Sequence, residues 1–169
     1  MEHLVCVFPT ELDWMAVAFA SSRLVALTIG HSTEQAAARA LPGLRTGLDD
    51  FDAEPQRLVD LLTRYAAGEA VSFAQVRPDL TGKSPFQRAV IQACRKIPRG
   101  AVRSYGQLAT AAGSPGAARA VGTVMRTNRL PLIVPCHRVI GSGNALGGYS
   151  GPSGLTLKRR LLMLEGVDL

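Results

Sequence analysis

A thiol, an imidazole and a guanidinium stand side by side at Cys136, His137 and Arg138, directly after Pro135 and the apolar run 130–134. Cysteine attacks carbon only as the thiolate, a form favoured by a helix N-terminus or a nearby cation. Pro135 lacks a backbone donor and restricts the residue before it. The chain is therefore expected to leave an extended run here and present Cys136 at a turn or helix start. His137 and Arg138 supply positive character. Adjacent side chains diverge, so a part for His137 as a base calls for a bridging water. The bland alternative is a small buried thiol without chemistry. Other cysteine chemistries fit poorly: Ser142 stands where a Cys-x5-Arg phosphate loop needs arginine, and no Cys-x-x-Cys occurs. His3, Cys6 and His31 have the wrong spacing for a persuasive metal site. Neither metal nor cofactor is expected.

The elements around this thiol can be read from caps and periodicity. Ser104 with Gln107 has the spacing of a capping box and opens the helix SYGQLATAAG, which Gly113 closes in a left-handed conformation. Ser114 is expected to cap a second helix with Pro115 at its first position, PGAARAVGTVMRTN. Ala118, Val121 and Met125 form its inward stripe, with Arg119, Thr123 and Arg126 on another face. The pair has the outline of a helix-turn-helix, or else of two core helices joined tightly. A helix that reads base edges needs long polar side chains, and this one is mostly Ala and Gly. Small residues suit close approach to a nucleic-acid groove with little sequence preference. Beyond the thiol, 141–154 is too glycine-rich for regular structure and suits a mobile pocket wall or a plain hairpin. A helix follows in LTLKRRLLMLEG, with Leu157, Leu161 and Leu164 inward and Glu165 near its end. Lys158, Arg159 and Arg160 oppose the dipole of its first turn, so solvent or an external phosphate must compensate them.

The first half carries no recognisable chemistry. Apolar runs at 4–8, 14–20 and 23–30 read as strands, 32–41 and 54–68 as helices, and VSFAQV (71–76) as a further strand. The expected division is an α/β domain over 1–78, a linker over 79–85 in a turn-rich stretch, and a mostly helical domain over 86–169. A helix beginning at Pro85 puts Phe86, Val90, Ala93 and Ile97 on its apolar face, with Cys94 beside it as a core thiol. Charge divides the same way. Residues 1–78 hold six Arg and ten Asp or Glu, net −4, whereas 79–169 hold thirteen Lys or Arg and three Asp or Glu, net +10. A basic half without a long like-charge block suits a folded face turned toward a polyanion. No apolar run is long enough to cross a membrane and no signal peptide is evident. With three widely spaced cysteines, the expectation is free thiols in a reducing cytoplasm.

Together these segments resemble the O6-alkylguanine-DNA alkyltransferase family. IVPCHRVIG is similar to its active-site motif, and SYGQLA, AARAVG, MRTN, YSG and LEG match its flanking motifs in order, over about residues 86–166. The resemblance implies a ribonuclease H-like first domain and a helix-turn-helix in the second. It also implies repair of O6-alkylguanine, and of O4-alkylthymine, by single-use transfer of the alkyl group to Cys136 after the base is flipped out. His137 would act through water, oriented by Glu165. Tyr105 would donate to the leaving guanine or the adjoining phosphate, and Asn128 would brace the active-site turn. Arg119 would enter the base stack from the minor groove, with Ser104, Ala118, Thr123 and Arg126 along the DNA. Carbonyls of Cys136 and Val139 would bind the guanine amino group and Ser150 would bond near O6, with Met125, Leu146, Gly147 and Tyr149 lining the pocket. The partner would be damaged double-stranded DNA with little sequence preference, and the protein a monomer whose cooperativity on DNA is left open. Arg129 departs from the family's Asn-Pro-x-Pro. Two rivals remain: a lesion sensor that binds without transfer, and a sequence-specific transcription regulator.

Overall fold

A computed structural model describes residues 3–21 and 23–169. The chain separates into two compact units between residues 79 and 80.

The first unit is built on a meander. β1 (Leu4–Thr10) and β2 (Asp13–Ala20) pair antiparallel from Leu4↔Phe19 to Thr10↔Asp13, and β3 (Arg23–His31) continues the sheet antiparallel to β2. Thr10 stabilises the tight first turn, its hydroxyl accepting from Leu12 N at 3.0 Å and donating to Asp13 O at 2.7 Å. α1 (Glu34–Ala40), capped by the Thr33 side chain, crosses over to the two-residue β4 (Leu44–Arg45), which lies parallel to β1 and sets the order β3-β2-β1-β4. β2 is buried on both faces, which is why it reads as an unbroken apolar run rather than an alternation. Ala16 and Ala18 meet Ala37 of α1, while Phe19 points toward Phe51, ring centroids 5.3 Å apart. α2 (Ala53–Ala66) buries Leu58, Val59, Leu62 and Tyr65. Residues 71–76 form turns and not the expected strand, with Val71 N donating to Glu69 O and Val76 N to Phe73 O. Phe73 of this segment packs on Tyr65, 5.8 Å away between ring centroids.

The second unit opens with α3 (Pro85–Arg95), where Ser84 and Gln87 form a complete capping box. Its buried side chains are Val90, Ile91 and Cys94, so Cys94 lies within the core stripe and not beside it, and Phe86 and Ala93 are only half-buried. β5 (Arg103–Ser104) leads into α4 (Tyr105–Ala111), whose capping box joins Ser104 and Gln107. Gly113 takes φ +76° after this helix. α5 (Ala118–Arg126) starts later than the sequence suggests. Gly116 at φ +86° makes 114–117 a separate turn, closed by Ala117 N on Ser114 O at 3.1 Å. Val121, Val124 and Met125 are its buried side chains, and Ala118 is half-exposed. Val139–Ile140 forms β6, and α6 (Leu155–Leu164) completes the unit.

Candidate active site

The cysteine turn is set by what precedes it. Residues 130–134 are turns, buried except at Pro131, and not the expected extended run: Ile133 N bonds Pro131 O, Val134 N bonds Leu130 O at 2.8 Å, and Leu132 takes φ +69°. Pro135 then precedes one turn of 3-10 helix, Cys136–Arg138. β6 follows at once and pairs parallel with β5, Arg103↔Val139 and Ser104↔Ile140. That two-residue bridge ties the start of α4 to the strand leaving the thiol.

Cys136 is 6% exposed. Asn128 holds it through both ends of its amide. Its Nδ2 donates to Val134 O at 2.9 Å and to Cys136 Sγ at 3.2 Å, and its Oδ1 accepts from Leu130 N at 3.0 Å. The bracing is joined by a direct contact with the sulfur that the sequence does not signal. Burial pushes the Cys136 thiol up, opposed by the Asn128 donor, the charge of Lys158 and the N–H groups of Cys136 and His137.

Behind the thiol lies a buried hub. Glu165 Oε1 is 2.9 Å from His137 Nε2 and accepts from Arg138 Nη2 at 2.8 Å, while Oε2 accepts from Arg138 Nε at 2.9 Å. Arg138 Nη1 continues to Ile97 O at 2.6 Å. Burial pushes His137 down, against the hydrogen bond and charge of the carboxylate beside it. The positive character expected from these neighbours is engaged by Glu165: Arg138 is committed to it in a bidentate fork, and His137 meets the same carboxylate.

The cation felt by the sulfur is Lys158. Its first-turn position suggested compensation by solvent or an external phosphate, but the side chain is fully buried. Nζ donates to Val139 O and Leu146 O, each at 2.5 Å, and to Gly148 O at 3.3 Å. Leu157, Leu161 and Leu162 flank it inward, whereas Leu164 is half-buried.

Tyr105 is half-buried at the start of α4, where burial raises its phenol against an N–H donated by Gly148. A Cβ on Gly122 of α5 would stand 3.9 Å from its ring, and one on Gly147 would meet its hydroxyl at 2.8 Å. Gly147 also has φ +68°, so both backbone and space require glycine there. Met125, Val139 and Leu146 are buried, Tyr149 is half-buried and Ser150 is exposed. Arg119, Thr123 and Arg126 are exposed on α5, with Ala118 half-exposed beside them and Ser104 engaged as a helix cap. Among the described residues no three metal-ligating side chains cluster, His31 bonds Thr28, and Cys6, Cys94 and Cys136 are free thiols.

Residues 85–167 match the family described as 6-O-methylguanine DNA methyltransferase, DNA binding domain. A methylated-DNA–protein-cysteine methyltransferase of Mycolicibacterium paratuberculosis is 46% identical over 121 residues, which is 72% of this chain and 71% of that one. The chain belongs to this methyltransferase family. A Shigella flexneri member is 47% identical over 115 residues, covering 68% of this chain and 66% of its own length. The O6-methylguanine methyltransferase of Mycobacterium tuberculosis superposes with TM-score 0.78 at 36% identity, covering 96% of this chain and 92% of that one. The same organism's protein in complex with DNA gives TM-score 0.76 over 96% of this chain and 93% of its own. Within the family profile fall Cys136, His137, Glu165, Asn128, Tyr105 and the exposed face of α5.

Proposed function

We propose that this protein repairs DNA by moving an alkyl group from O6 of guanine, and from O4 of thymine, onto its own Cys136. The observation that carries this is the constellation around the sulfur: Asn128 donating to Sγ, and the His137–Glu165–Arg138 hub immediately behind it. A carboxylate only accepts, so His137 Nε2 carries the proton and Nδ1 keeps the lone pair. Through a water, Nδ1 takes the thiol proton. The thiolate attacks the alkyl carbon in line with the C–O bond, the S–C bond forms, and the bonding pair stays on guanine. Tyr105 supplies the proton that guanine gains, balancing the one the thiol lost. The thioether cannot return to thiolate, so each molecule acts once.

The architecture we assign is a ribonuclease H-like first unit, supported by the order β3-β2-β1-β4 with β4 parallel to β1, and a helix-turn-helix of α4 and α5 in the second. Damaged duplex DNA lies along α5 with the minor groove facing it. Ala118 permits close approach, Thr123, Arg126 and Ser104 meet the backbone, and Arg119 fills the stack left by the flipped base. The flipped guanine reaches the carbonyls of Cys136 and Val139 and the Ser150 hydroxyl, beside Met125, Leu146, Gly147 and Tyr149. We assign a monomer working in a reducing cytoplasm, where Cys136 stays a thiol.

Intact and peptide mass spectrometry after incubation with an O6-methylguanine duplex tests the reaction. One methyl per protein, on the Cys136 peptide, is expected; an unmodified protein that still binds the lesion makes it a sensor. Flipping has its own test in Arg119→Ala. That change slows transfer from duplex DNA by at least about tenfold, the scale of a few kcal/mol of unstacking, and leaves reaction with free O6-methylguanine base unaltered. Equal slowing of both removes Arg119 from the flipping step.

A further inference from the structure

The carboxylate at the centre of the buried hub belongs to the residue that ends a helix. α6 stops at Leu164, and Glu165 is its C-cap. Gly166 takes φ +82°, its N–H donating to Met163 O at 3.0 Å and that of Val167 to Leu162 O at 2.9 Å. This left-handed closure satisfies two of the carbonyls that a helix end leaves without partners, but not the one that follows them. That carbonyl is Leu164 O, on the peptide unit joining the helix to Glu165. Arg99 Nη2 donates to it at 2.6 Å, from 65 residues back in the chain.

The turn that carries Arg99 meets the hub at two further points. It links α3 to β5 and is closed by Ala101 N on Pro98 O at 3.2 Å. Ile97 O, at its start, accepts from Arg138 Nη1 at 2.6 Å. Gly100, directly after Arg99, lies so close to the helix end that a Cβ there would stand 3.3 Å from Glu165 O. One short turn therefore holds both partners of the fork, Arg138 through main chain and the Glu165 end of α6 through a side chain. α6 has no basic residue in its own last turn, so Arg99 also supplies the cation that a helix C-terminus favours.

We propose that Arg99 is a positioning residue for alkyl transfer: its guanidinium fixes the end of α6 so that the Glu165 carboxylate stays in register with His137 and Arg138. The inference rests on the reading of His137 as the base in transfer to Cys136. Glu165 meets three nitrogens of those two side chains at 2.8 to 2.9 Å, a fit that a small shift of the helix end would spoil. Arg99 acts through that carboxylate and not on the sulfur.

Arg99→Met keeps an apolar stem and removes the donor. Single-turnover methyl transfer from an O6-methylguanine duplex then slows about tenfold, within the ~100-fold that a misplacement of about 1 Å can cost. Arg99→Lys restores a cationic donor and recovers most of the rate. Because the effect passes through Glu165, a Glu165→Gln protein carrying Arg99→Met is no slower than Glu165→Gln alone, both measured well below melting. Slowing that persists in full in that background overturns the proposal.

Nitrogen NMR of His137, recorded without DNA, gives a signature that loss of packing alone does not produce. The tautomer protonated at Nε2, which the carboxylate selects, loses population in Arg99→Met and regains it in Arg99→Lys. An unchanged tautomer in a folded Arg99→Met protein overturns the proposal, whatever its rate. Should the methionine variant fail to fold, Arg99→Gln, polar but shorter, is read by the same measurements with the same outcomes. A parent protein that takes no methyl from the duplex counts against the alkyl-transfer reading alone, since the tautomer is measured without a lesion.

Discussion

Cys136→Ser abolishes methyl uptake from an O6-methylguanine duplex while the duplex still binds. Serine conserves the shape of a side chain that is 6% exposed, so the turn Cys136–Arg138 and the faces of α4 and α5 persist. What disappears is the nucleophile, because a hydroxyl at this position lacks the base strength of environment needed to form an alkoxide, whereas a thiol ionises within reach of neutral pH. Transfer is read by mass spectrometry and binding by fluorescence anisotropy on the same duplex. Methyl appearing on another residue of the serine variant would remove Cys136 from the reaction. Loss of binding together with transfer would mean that the cysteine is a structural element of the DNA-bound state.

Glu165→Gln has the second large effect, and it falls on stability as well as rate. The carboxylate is completely buried and faces Arg138, whose side chain is 13% exposed. Glutamine keeps the volume but removes the charge, and its amide turns donors toward a guanidinium that has only donors to offer. Removing one partner of a buried pair costs about 3–5 kcal/mol. At the lower end, for a chain of this size, that lowers the melting temperature by about 6–12 °C. The single amide oxygen cannot replace both carboxylate oxygens, so either His137 and Arg138 Nη2 or Arg138 Nε faces an NH2 group. The fork that orients His137 is broken, and transfer slows even where the protein remains folded. Differential scanning calorimetry, and single-turnover methyl transfer at a temperature well below melting, separate the two effects. An unchanged melting temperature would show that Arg138 and His137 do not depend on this carboxylate.

What the sequence discloses about this fold is mainly what short-range rules control. Ser104 and Gln107 are three residues apart and satisfy each other's backbone groups, so their capping box is readable from the letters and found in the structure. Pro135 marks the start of the cysteine turn, although the residues before it are turns and not the expected extended run. Where the reading fails, a local signal is overridden by a conformational or distant one. Ser114 and Pro115 look like a helix start, but Gly116 at φ +86° interrupts them and α5 begins at Ala118. Phe73 gives 71–76 a strand-like composition, yet its ring is used against Tyr65. The chemistry follows the same rule. Asn128 and Cys136 are close in sequence, and their contact adds to the bracing role that the family resemblance implies for Asn128. Arg138 meets Glu165 across 27 residues, and its place in a motif gives no hint that its charge is consumed by that partner. Lys158 did carry a signal, a cation set against a helix dipole, but the carbonyls that receive it lie 10 to 19 residues back in the chain.

Lys158 grips main chain, and this matters for anyone who would alter what the pocket accepts. Val139, Leu146 and Gly148 contribute carbonyl oxygens to the ammonium, and every amino acid has one to contribute. These three anchors thus do not depend on the side chains mounted there, whereas Gly147, against Tyr105, and Gly151, against Tyr149 and Leu157, leave no room for a side chain. A combinatorial library at Leu146, Tyr149 and Ser150, the residues proposed to line the pocket, would vary side chains on a frame held through main chain.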